Sequence, residues 1–244
     1  MAVDVFLLMK LSIVIPAYNE ADNIVRTLRE TLRTVSHFHK NFEVIVVDDG
    51  SKDDTFKLAK SINDPRIRVY RKPNGGKGSA WKYGFKFARG DFVTFIDADL
   101  DLHPRQIKTF LDIQKKTKAD VVVGSKRHPK SKLKYPLSRK ILSSCFYFFT
   151  KILFGLPIHD SQAGLKLFRK EVLDKVFAKS LVKHYAADLE FLVNAYRLGY
   201  KIVESPVEIK FQRFASRIKL KDIYHMFMET LGIFYRLHLT HYYD

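Results

Sequence analysis

The sequence predicts an α/β fold in which a mostly parallel sheet is flanked by helices. From residue 11 to residue 124, short apolar segments rich in β-branched residues alternate with segments whose apolar residues have helical spacing. Pro, Gly, Asn or Asp separates one segment from the next. Such alternation joins parallel strands through crossover helices, so ligands should gather at the carboxyl ends of the strands.

The individual elements follow from these patterns in chain order. The apolar run from Leu11 to Pro16 is a strand ended by proline, and apolar residues at helical spacing make 23–35 a helix. The same two patterns predict strand 42–47, helix 51–62, strand 67–71, helix 78–88, strand 92–96, helix 104–116 and strand 120–124. A later helix is predicted over 185–198.

The length of 244 residues suits one large domain, and a second domain of ordinary size would hardly fit. We expect this domain over residues 1–218 and a C-terminal amphipathic helical tail over 219–244. The first nine residues are apolar but lack a basic region and a cleavage site, so no signal peptide is expected. Residues 1–8 are read as an upstream extension or an alternative start.

The composition of the chain indicates which classes of partner the protein binds. The net charge of +17 indicates a polyanionic partner, which is a nucleic acid, an anionic membrane or a phosphorylated small molecule. The single cysteine, Cys145, excludes an internal disulfide and a cysteine-based metal cluster, and it fits a reducing compartment. A nucleic-acid-binding protein is suggested by charge alone, because the basic-aromatic modules of such proteins are missing. We therefore expect no nucleic-acid partner.

Polar clusters follow three of the predicted strands. They are Pro16-Ala-Tyr-Asn-Glu20, Asp48-Asp-Gly-Ser51 and Asp97-Ala-Asp-Leu-Asp101. A single cluster of this kind is better explained by a turn followed by a helix N-cap. Carboxylates brought together at one sheet edge, however, cost free energy unless a cation or a donor-rich ligand neutralises them. The three clusters predict a shared site, and the alternating oxygens of the last one suit Mg²⁺ or Mn²⁺ rather than zinc.

A glycine-rich loop, Asn74-Gly-Gly-Lys-Gly-Ser-Ala80, stands at a predicted helix start. Its backbone N–H groups and Lys77 are suited either to meet a phosphate or to order a neighbouring loop. The loop lacks the spacing of a Walker P-loop, and no dinucleotide fingerprint follows the first strand. This argues against an NTPase and against a dehydrogenase.

Together these segments resemble family 2 glycosyltransferases of the GT-A fold, specifically the polyprenyl-phosphate (dolichyl-phosphate) glycosyltransferases. The resemblance runs from about residue 10 to residue 217 and includes Gly124-Ser-Lys-Arg127 and Asp160-Ser-Gln-Ala-Gly-Leu-Lys-Leu-Phe168. It implies inverting transfer of a hexose from a nucleotide diphosphate sugar. The nucleotide-sugar residues that it implies are Pro16, Tyr18, Glu20, Asp49, Lys77 and Asp97, and the ligands of Mn²⁺ or Mg²⁺ are Asp97, Asp99 and Asp101.

The resemblance places an acceptor phosphate on Arg127, Arg139 and Ser143. A phosphate monoester has a second pKa of about 6, so near neutral pH it needs positioning and charge compensation more than a base. Asp188 and Glu190, in the predicted helix 185–198, are with Arg127 the candidate catalytic residues. Asp188 or Glu190 would act as the base for a hydroxyl acceptor, or else orient the sugar or pair with an arginine. A solvated helix face is the remaining alternative.

The identity of the donor rests on the later part of the chain. Asp188-Leu-Glu190 and the segment from Gly199 to Pro206 look similar to the glucose-transferring dolichyl-phosphate branch, which favours UDP-glucose. GDP-mannose as donor and a glycan hydroxyl as acceptor remain alternatives, as does a diphosphate-sugar sensor without turnover.

Two aromatic-rich segments, 141–158 and 223–243, are interrupted by charged residues and fall short of a membrane span. They are expected to lie on a bilayer or to pack as ordinary helices. With the basic charge, the first alternative predicts a protein peripherally associated with the cytoplasmic face of a membrane, where a polyprenyl phosphate would be its acceptor.

Overall fold

The computed structural model describes residues 9–133, 137–210 and 220–243, and the side chains of residues 137–139 and 220 are not described. Three predictions fall outside these residues. They are the start of the chain at residues 1–8, the role of the Arg139 side chain in binding the acceptor phosphate, and the domain boundary between residues 218 and 219.

A seven-stranded sheet forms the centre of the domain. Its strands in spatial order are β3 (Ile67–Arg71), β2 (Phe42–Asp48), β1 (Leu11–Ala17), β4 (Phe92–Phe95), β7 (Lys166–Arg169), β5 (Val121–Ser125) and β8 (Ile202–Pro206). All neighbours pair in parallel except β7, which is antiparallel to both β4 and β5. A short parallel pair, β6 (Lys132–Leu133) and β9 (Glu208–Ile209), lies outside this sheet.

Helices cover both faces of the sheet. In chain order they are α1 (Ala21–Phe38), α2 (Thr55–Lys60), α3 (Lys77–Phe85), α4 (Gln106–Thr117), α5 (Leu137–Phe154), α6 (Lys170–Lys179), α7 (Ala187–Arg197) and α8 (Leu220–His238). Successive strand residues point to opposite faces, so Ile13 and Ile15 pack under α1, α2 and α4 while Val14 packs under α3, α6 and α7. The core is therefore two apolar layers separated by the sheet.

The predicted mostly parallel α/β architecture is confirmed by this topology. The antiparallel strand β7 was not predicted, because its four residues, Lys-Leu-Phe-Arg, are too few and too polar to show a strand pattern. It follows the Asp160–Leu165 segment and inserts between β4 and β5. As a result, the chain before β7 returns to the same edge at which the parallel strands β1, β4 and β5 end.

The C-terminal helix is part of the packed domain. Thr230 and Ile233 of α8 are buried, and so is Tyr243 beyond the helix. Helices α5 and α8 touch through the stacked rings of Phe149 and Phe227, whose centroids lie 4.9 Å apart. Within the described part of the chain, no helix combines the length and apolarity that crossing a bilayer requires.

Candidate active site

A cavity of about 480 Å³ opens where β1, β4 and β5 end. One end of it is acidic, and its lining includes Glu20, Asp97, Asp99 and Asp101. Basic groups, Lys126, Lys151 and His159, line another part. Its apolar wall comes mainly from α5, α8 and the segment after α5, and consists of Leu102, Leu142, Phe146, Leu156, Ile158, Ile209, Ile223 and Met226.

The acidic end is built on the turn after β4. Asp101 N donates to Asp99 Oδ1 at 3.0 Å, and Lys77 Nζ lies 2.8 Å from Asp97 Oδ1. A methyl group at Gly164 would overlap the Asp97 carboxylate, so a larger residue at this position of the Asp160–Leu165 segment would displace Asp97. Burial, followed by the charges of Asp97 and Asp101, raises the pKa of Asp99 to about 7.

This acidic end fits a divalent cation that arrives with a diphosphate. Among the described residues, no three His, Cys, Asp or Glu side chains converge into a ready-made metal cage. Mg²⁺ is commonly held by only one or two carboxylates, the other ligands being substrate phosphates and water. The predicted ligands Asp97, Asp99 and Asp101 all line the cavity. Burial and the neighbouring charges of Asp97 and Asp101 disfavour the ionised form of Asp99, so an added positive charge would stabilise it.

The glycine-rich loop is ordered by Asp49. The Asp49 carboxylate, which is buried, accepts hydrogen bonds from Gly75 N at 3.0 Å, Gly76 N at 2.8 Å and Lys72 Nζ at 2.5 Å. Gly76 has a φ of 89°, a value that glycine adopts without strain. These two amides hold the Asp49 carboxylate in the loop after β2, and Asp49 does not line the cavity.

Lys77, within this loop, is the first residue of α3 and lies between two carboxylates. Burial alone would lower the pKa of Lys77, but the charges of Asp97, Asp188 and Asp99 raise it above its ordinary value. Asp188 also pairs with the fully buried Lys166, whose pKa burial lowers despite this partner. Both ammonium groups lie over the ring of Trp81, at 4.9 and 5.5 Å from its centroid. Asp188 thus belongs to a charge network beside the cavity rather than to the cavity lining.

The ends of β1 and β2 carry the other predicted nucleotide residues. Tyr18 is 42% exposed, Glu20 is buried at the cavity, and the half-buried Pro16 pairs with Val47 of β2. Asn19 ties the two strand ends together, because its N–H donates to Ser51 Oγ and its Oδ1 accepts from Lys52 N, both at 2.9 Å. The exposed Tyr18 ring is free of the core and has the shape needed to stack on a base.

The predicted acceptor residues are only partly brought together. Ser143 lines the cavity, whereas Arg127 packs against α5 beside it, with Nη2 donating to Ser144 Oγ at 2.9 Å and its guanidinium over the Tyr147 ring. The side chain of Arg139 lies outside the described residues. Lys126, the neighbour of Arg127, is the residue that reaches the lining, held there by Asp160 at 3.2 Å.

Glu190 is not brought to the cavity. Its side chain is fully buried, and Oε2 accepts hydrogen bonds from Leu181 N at 2.9 Å and Val182 N at 2.8 Å. Oε1 accepts from Tyr243 Oη at 2.5 Å and from Arg236 Nη2 at 3.3 Å. With four donors around it, Glu190 has no position from which to reach a substrate.

Sequence reasoning missed Lys126, Lys151, His159 and Gln162 as cavity residues. Two of them belong to quoted motifs, since Lys126 precedes Arg127 and Gln162 lies in the Asp160-Ser-Gln-Ala-Gly segment. The imidazole of His159 is oriented by Glu204, with Nδ1 and Oε2 2.8 Å apart, and its backbone N–H donates to the same carboxylate at 2.6 Å. No local pattern links His159 to a strand 45 residues later, so no sequence signal was available for it.

The model of the glycosyl transferase family 2 matches residues 12–177, which contain both the acidic turn and the Asp160–Leu165 segment. The chain belongs to this family. Its predicted membership, and with it the glycosyltransferase class of enzyme, is confirmed. The match covers the strands β1 to β7, which build the cavity edge, and it ends before α7 and α8.

Curated relatives lie at about one third identity. A dolichyl-phosphate beta-glucosyltransferase of Trichomonas vaginalis is 33% identical over 93% of this chain and 74% of its own length. One from Dictyostelium discoideum is 33% identical over 91% of this chain and 76% of its own length. Glycosyltransferase AglD of Haloferax volcanii is 32% identical over 82% of this chain, which spans about a third of that relative, namely 33% of its length.

Solved structures share the fold. Glucosyl-3-phosphoglycerate synthase from Mycobacterium tuberculosis, crystallised with Mn²⁺, uridine diphosphate and phosphoglyceric acid, superimposes with a TM-score of 0.72 at 20% identity. The superposition covers 93% of this chain and 78% of that one. The predicted GT-A fold is confirmed by this likeness, which at such low identity concerns the fold alone.

Proposed function

We propose that the protein transfers glucose from UDP-glucose to a polyprenyl phosphate of the dolichyl type, with inversion at the anomeric carbon. The observation that carries the proposal is a single cavity that joins an acidic end to basic groups and to a long apolar wall. A metal-bound nucleotide diphosphate suits the acidic end, and a phosphate on an apolar chain suits the rest. Relatives named dolichyl-phosphate beta-glucosyltransferase support the choice of sugar and acceptor.

The donor is held at the strand ends. Tyr18 stacks on the base, and Pro16 and Glu20 lie beside the nucleotide. Asp49 contributes indirectly, because it fixes the glycine-rich loop. Asp97, Asp99 and Asp101 would hold a divalent cation, which would supply positive charge to neutralise the diphosphate. The support for this cation is the crowded carboxylates here and the Mn²⁺ in the crystallised Mycobacterium tuberculosis enzyme. Lys77 adds a second positive charge beside the departing diphosphate.

The acceptor phosphate lies between Lys126, His159 and Ser143 at the cavity lining, with Arg127 adding positive charge from behind Tyr147. One of its oxygens attacks the anomeric carbon and forms the new bond there. The bond from that carbon to the diphosphate oxygen breaks at the same time, and UDP leaves with the electron pair. Since the nucleophile is already ionised, the protein's task is to align it and to balance charge.

A panel of donors and acceptors tests the proposal. Purified protein with Mn²⁺ is given UDP-glucose, UDP-galactose or GDP-mannose, together with a short polyprenyl phosphate or the matching polyprenol. We expect polyprenyl glucosyl phosphate, detected by mass spectrometry, only when UDP-glucose and the polyprenyl phosphate are supplied together. If the alcohol alone is glycosylated, the phosphate mechanism is wrong, and if GDP-mannose is the only donor, the choice of sugar is wrong.

The same assay locates the acceptor phosphate. Lys126→Ala should lower kcat/KM for the phosphate acceptor by roughly ten- to a hundredfold, the effect of losing one charged hydrogen bond. Arg127→Ala should have a smaller effect, and Lys118→Ala, a lysine beyond the far end of α4, should have none. Equal activity of Lys126→Ala and wild type would place the phosphate elsewhere.

We also propose that α5 and α8 dock on a membrane surface. On α5, Ile141, Cys145, Phe148 and Ile152 are all exposed at helical spacing, and the last two side chains are 62% and 82% exposed. On α8, Tyr224, Met228 and Tyr235 form a matching exposed stripe, which Leu239 continues directly after the helix. The two helices also wall the cavity, so an acceptor in the bilayer would reach the active site directly.

Cys145 is the single cysteine of the chain and lies within the α5 stripe, so it can report docking. An environment-sensitive fluorophore on Cys145 should shift to shorter emission wavelength when anionic vesicles are added, and less at high salt. A matched control carries the label at Ser61→Cys in a Cys145→Ser background, on the exposed end of α2. A response that is the same at both positions would contradict docking through α5.

A further inference from the structure

The segment 181–186 connects the C-terminal part of the chain to the glycine-rich loop. Its Lys183 carbonyl accepts hydrogen bonds from Gly78 N at 2.9 Å and Ser79 N at 3.2 Å. These amides belong to the first turn of α3, next to Lys77. The contact is tight, because a methyl group at Gly76 would lie 2.3 Å from His184 Nδ1 and one at Gly78 would lie 2.3 Å from Ala187 Cβ. The position of segment 181–186 therefore sets the position of Lys77.

Glu190 in turn sets the position of that segment. Its Oε2 holds Leu181 N and Val182 N, and its Oε1 is held by Tyr243 and Arg236. The Tyr243 carbonyl is fixed as well, because it accepts a hydrogen bond from Lys179 Nζ at 3.1 Å. A carboxylate buried completely among four donors is a fixed point, since any rotation of it would leave donors unpaired.

Helix α8 also forms hydrogen bonds with this segment. Tyr185 Oη donates to Asp222 Oδ1, and Ala186 N donates to Glu229 Oε2, both at 2.8 Å. Asp222 also lines the acceptor end of the cavity. Helix α8 and Glu190 therefore both contact this short segment, and the segment holds Gly78 and Ser79, which directly follow Lys77.

We infer that Glu190 is a positioning residue for the donor: through segment 181–186 it fixes the glycine-rich loop and places Lys77 against Asp97. The inference rests on the proposed function, because it assumes a nucleotide diphosphate sugar at the acidic end. It gives Glu190 a role that differs from the catalytic one predicted for it. The chain beyond α8, up to Tyr243, becomes part of the donor site although it touches no substrate.

The test compares donor binding with acceptor binding. Glu190→Gln keeps the size of the side chain but places an NH₂ group against donors, so the segment should shift. We expect the Kd for UDP-glucose with Mn²⁺, measured by calorimetry, to rise about ten- to a hundredfold, the cost typical of losing a group that orients binding residues from behind. The donor KM should rise with it, and by a larger factor than the acceptor KM, which should also rise because Tyr185 of the segment contacts Asp222 at the acceptor end.

Two further variants keep the test decisive if Glu190→Gln folds poorly. Tyr243→Phe removes a single donor to Glu190, and it should weaken UDP-glucose binding in the same direction but less. Leu111→Ala, in α4 on the opposite face of the sheet, lowers the melting temperature without touching the segment and should leave the Kd unchanged. The positioning role is wrong if Glu190→Gln and Tyr243→Phe both bind the donor like wild type. It is also wrong if the control Leu111→Ala weakens binding as much as Tyr243→Phe.

The single tryptophan supplies a second readout. Trp81 lies 4.9 Å from Lys77 Nζ and is fully buried, so its emission reports on the placement of that ammonium group. The emission of the donor-free Tyr243→Phe variant should differ from that of the wild type, while Leu111→Ala should match it. A wild-type protein that does not bind UDP-glucose at all would instead overturn the proposed function, so the two failures are distinguishable.

Discussion

Asp99→Asn is expected to abolish Mn²⁺-dependent binding of UDP-glucose and turnover with it. A carboxylate that helps to hold the cation contributes several kcal/mol of charge stabilisation, which corresponds to a loss of at least roughly a hundredfold in affinity. Calorimetric titration of UDP-glucose with and without Mn²⁺ measures it. Asp112→Asn on the exposed face of α4 makes the same change of charge away from the site, and its affinity should stay at the wild-type value.

The thermal stability of the Asp99→Asn variant should rise, although its affinity for UDP-glucose should fall. Because the folded-state pKa of Asp99 is raised to about 7, its ionised form is unfavourable in the folded protein, and this cost is present in full only above that pH. At pH 8 without metal, Asp99→Asn should therefore melt at a higher temperature than wild type, and the difference should shrink as the pH falls toward 5. Unchanged donor affinity together with a lower melting temperature would show that Asp99 is structural.

Asp188→Asn is expected to destabilise the fold strongly. Lys166 is completely buried and Asp188 nearly so, and removing one partner of a buried ion pair costs about 3–5 kcal/mol. For a chain of this length, that is a fall in melting temperature of roughly 6–20 °C. Removing both charges, as Asp188→Asn with Lys166→Met, should restore most of the loss. Asp174→Asn, in the exposed pair with Lys170, should cost less than about 1 kcal/mol.

The double variant also tests whether Asp188 is a general base, which is the first of the roles predicted for it. A general base contributes about 10²–10⁴-fold to the rate, so its removal would still be evident once stability is restored. With a phosphate acceptor, we expect the double variant to keep its activity within about tenfold of wild type. A loss of a thousandfold in a variant that melts like wild type would make Asp188 a base and would favour a hydroxyl acceptor.

The sequence alone was sufficient to predict where the strands end and which polar residues follow them. Strands β1, β2 and β4 are buried on both faces, so their apolar runs are continuous, and the polar residues that follow them mark where each strand ends. Parallel pairing then brings these ends to one edge of the sheet, whatever the details of packing. Glu20, Asp97, Asp99 and Asp101 meet at one cavity for this reason.

Only the tertiary structure decided what the residues of α7 do. Nine consecutive residues, Ala187 to Ala195, are buried, so no polar face shows which side of the helix meets the site. Asp188 and Glu190 are two residues apart and therefore point to different sides of the helix. One meets Lys166 near the cavity, and the other meets Tyr243, 53 residues later. Contacts between residues so distant in sequence depend on how whole elements pack, which local spacing does not encode.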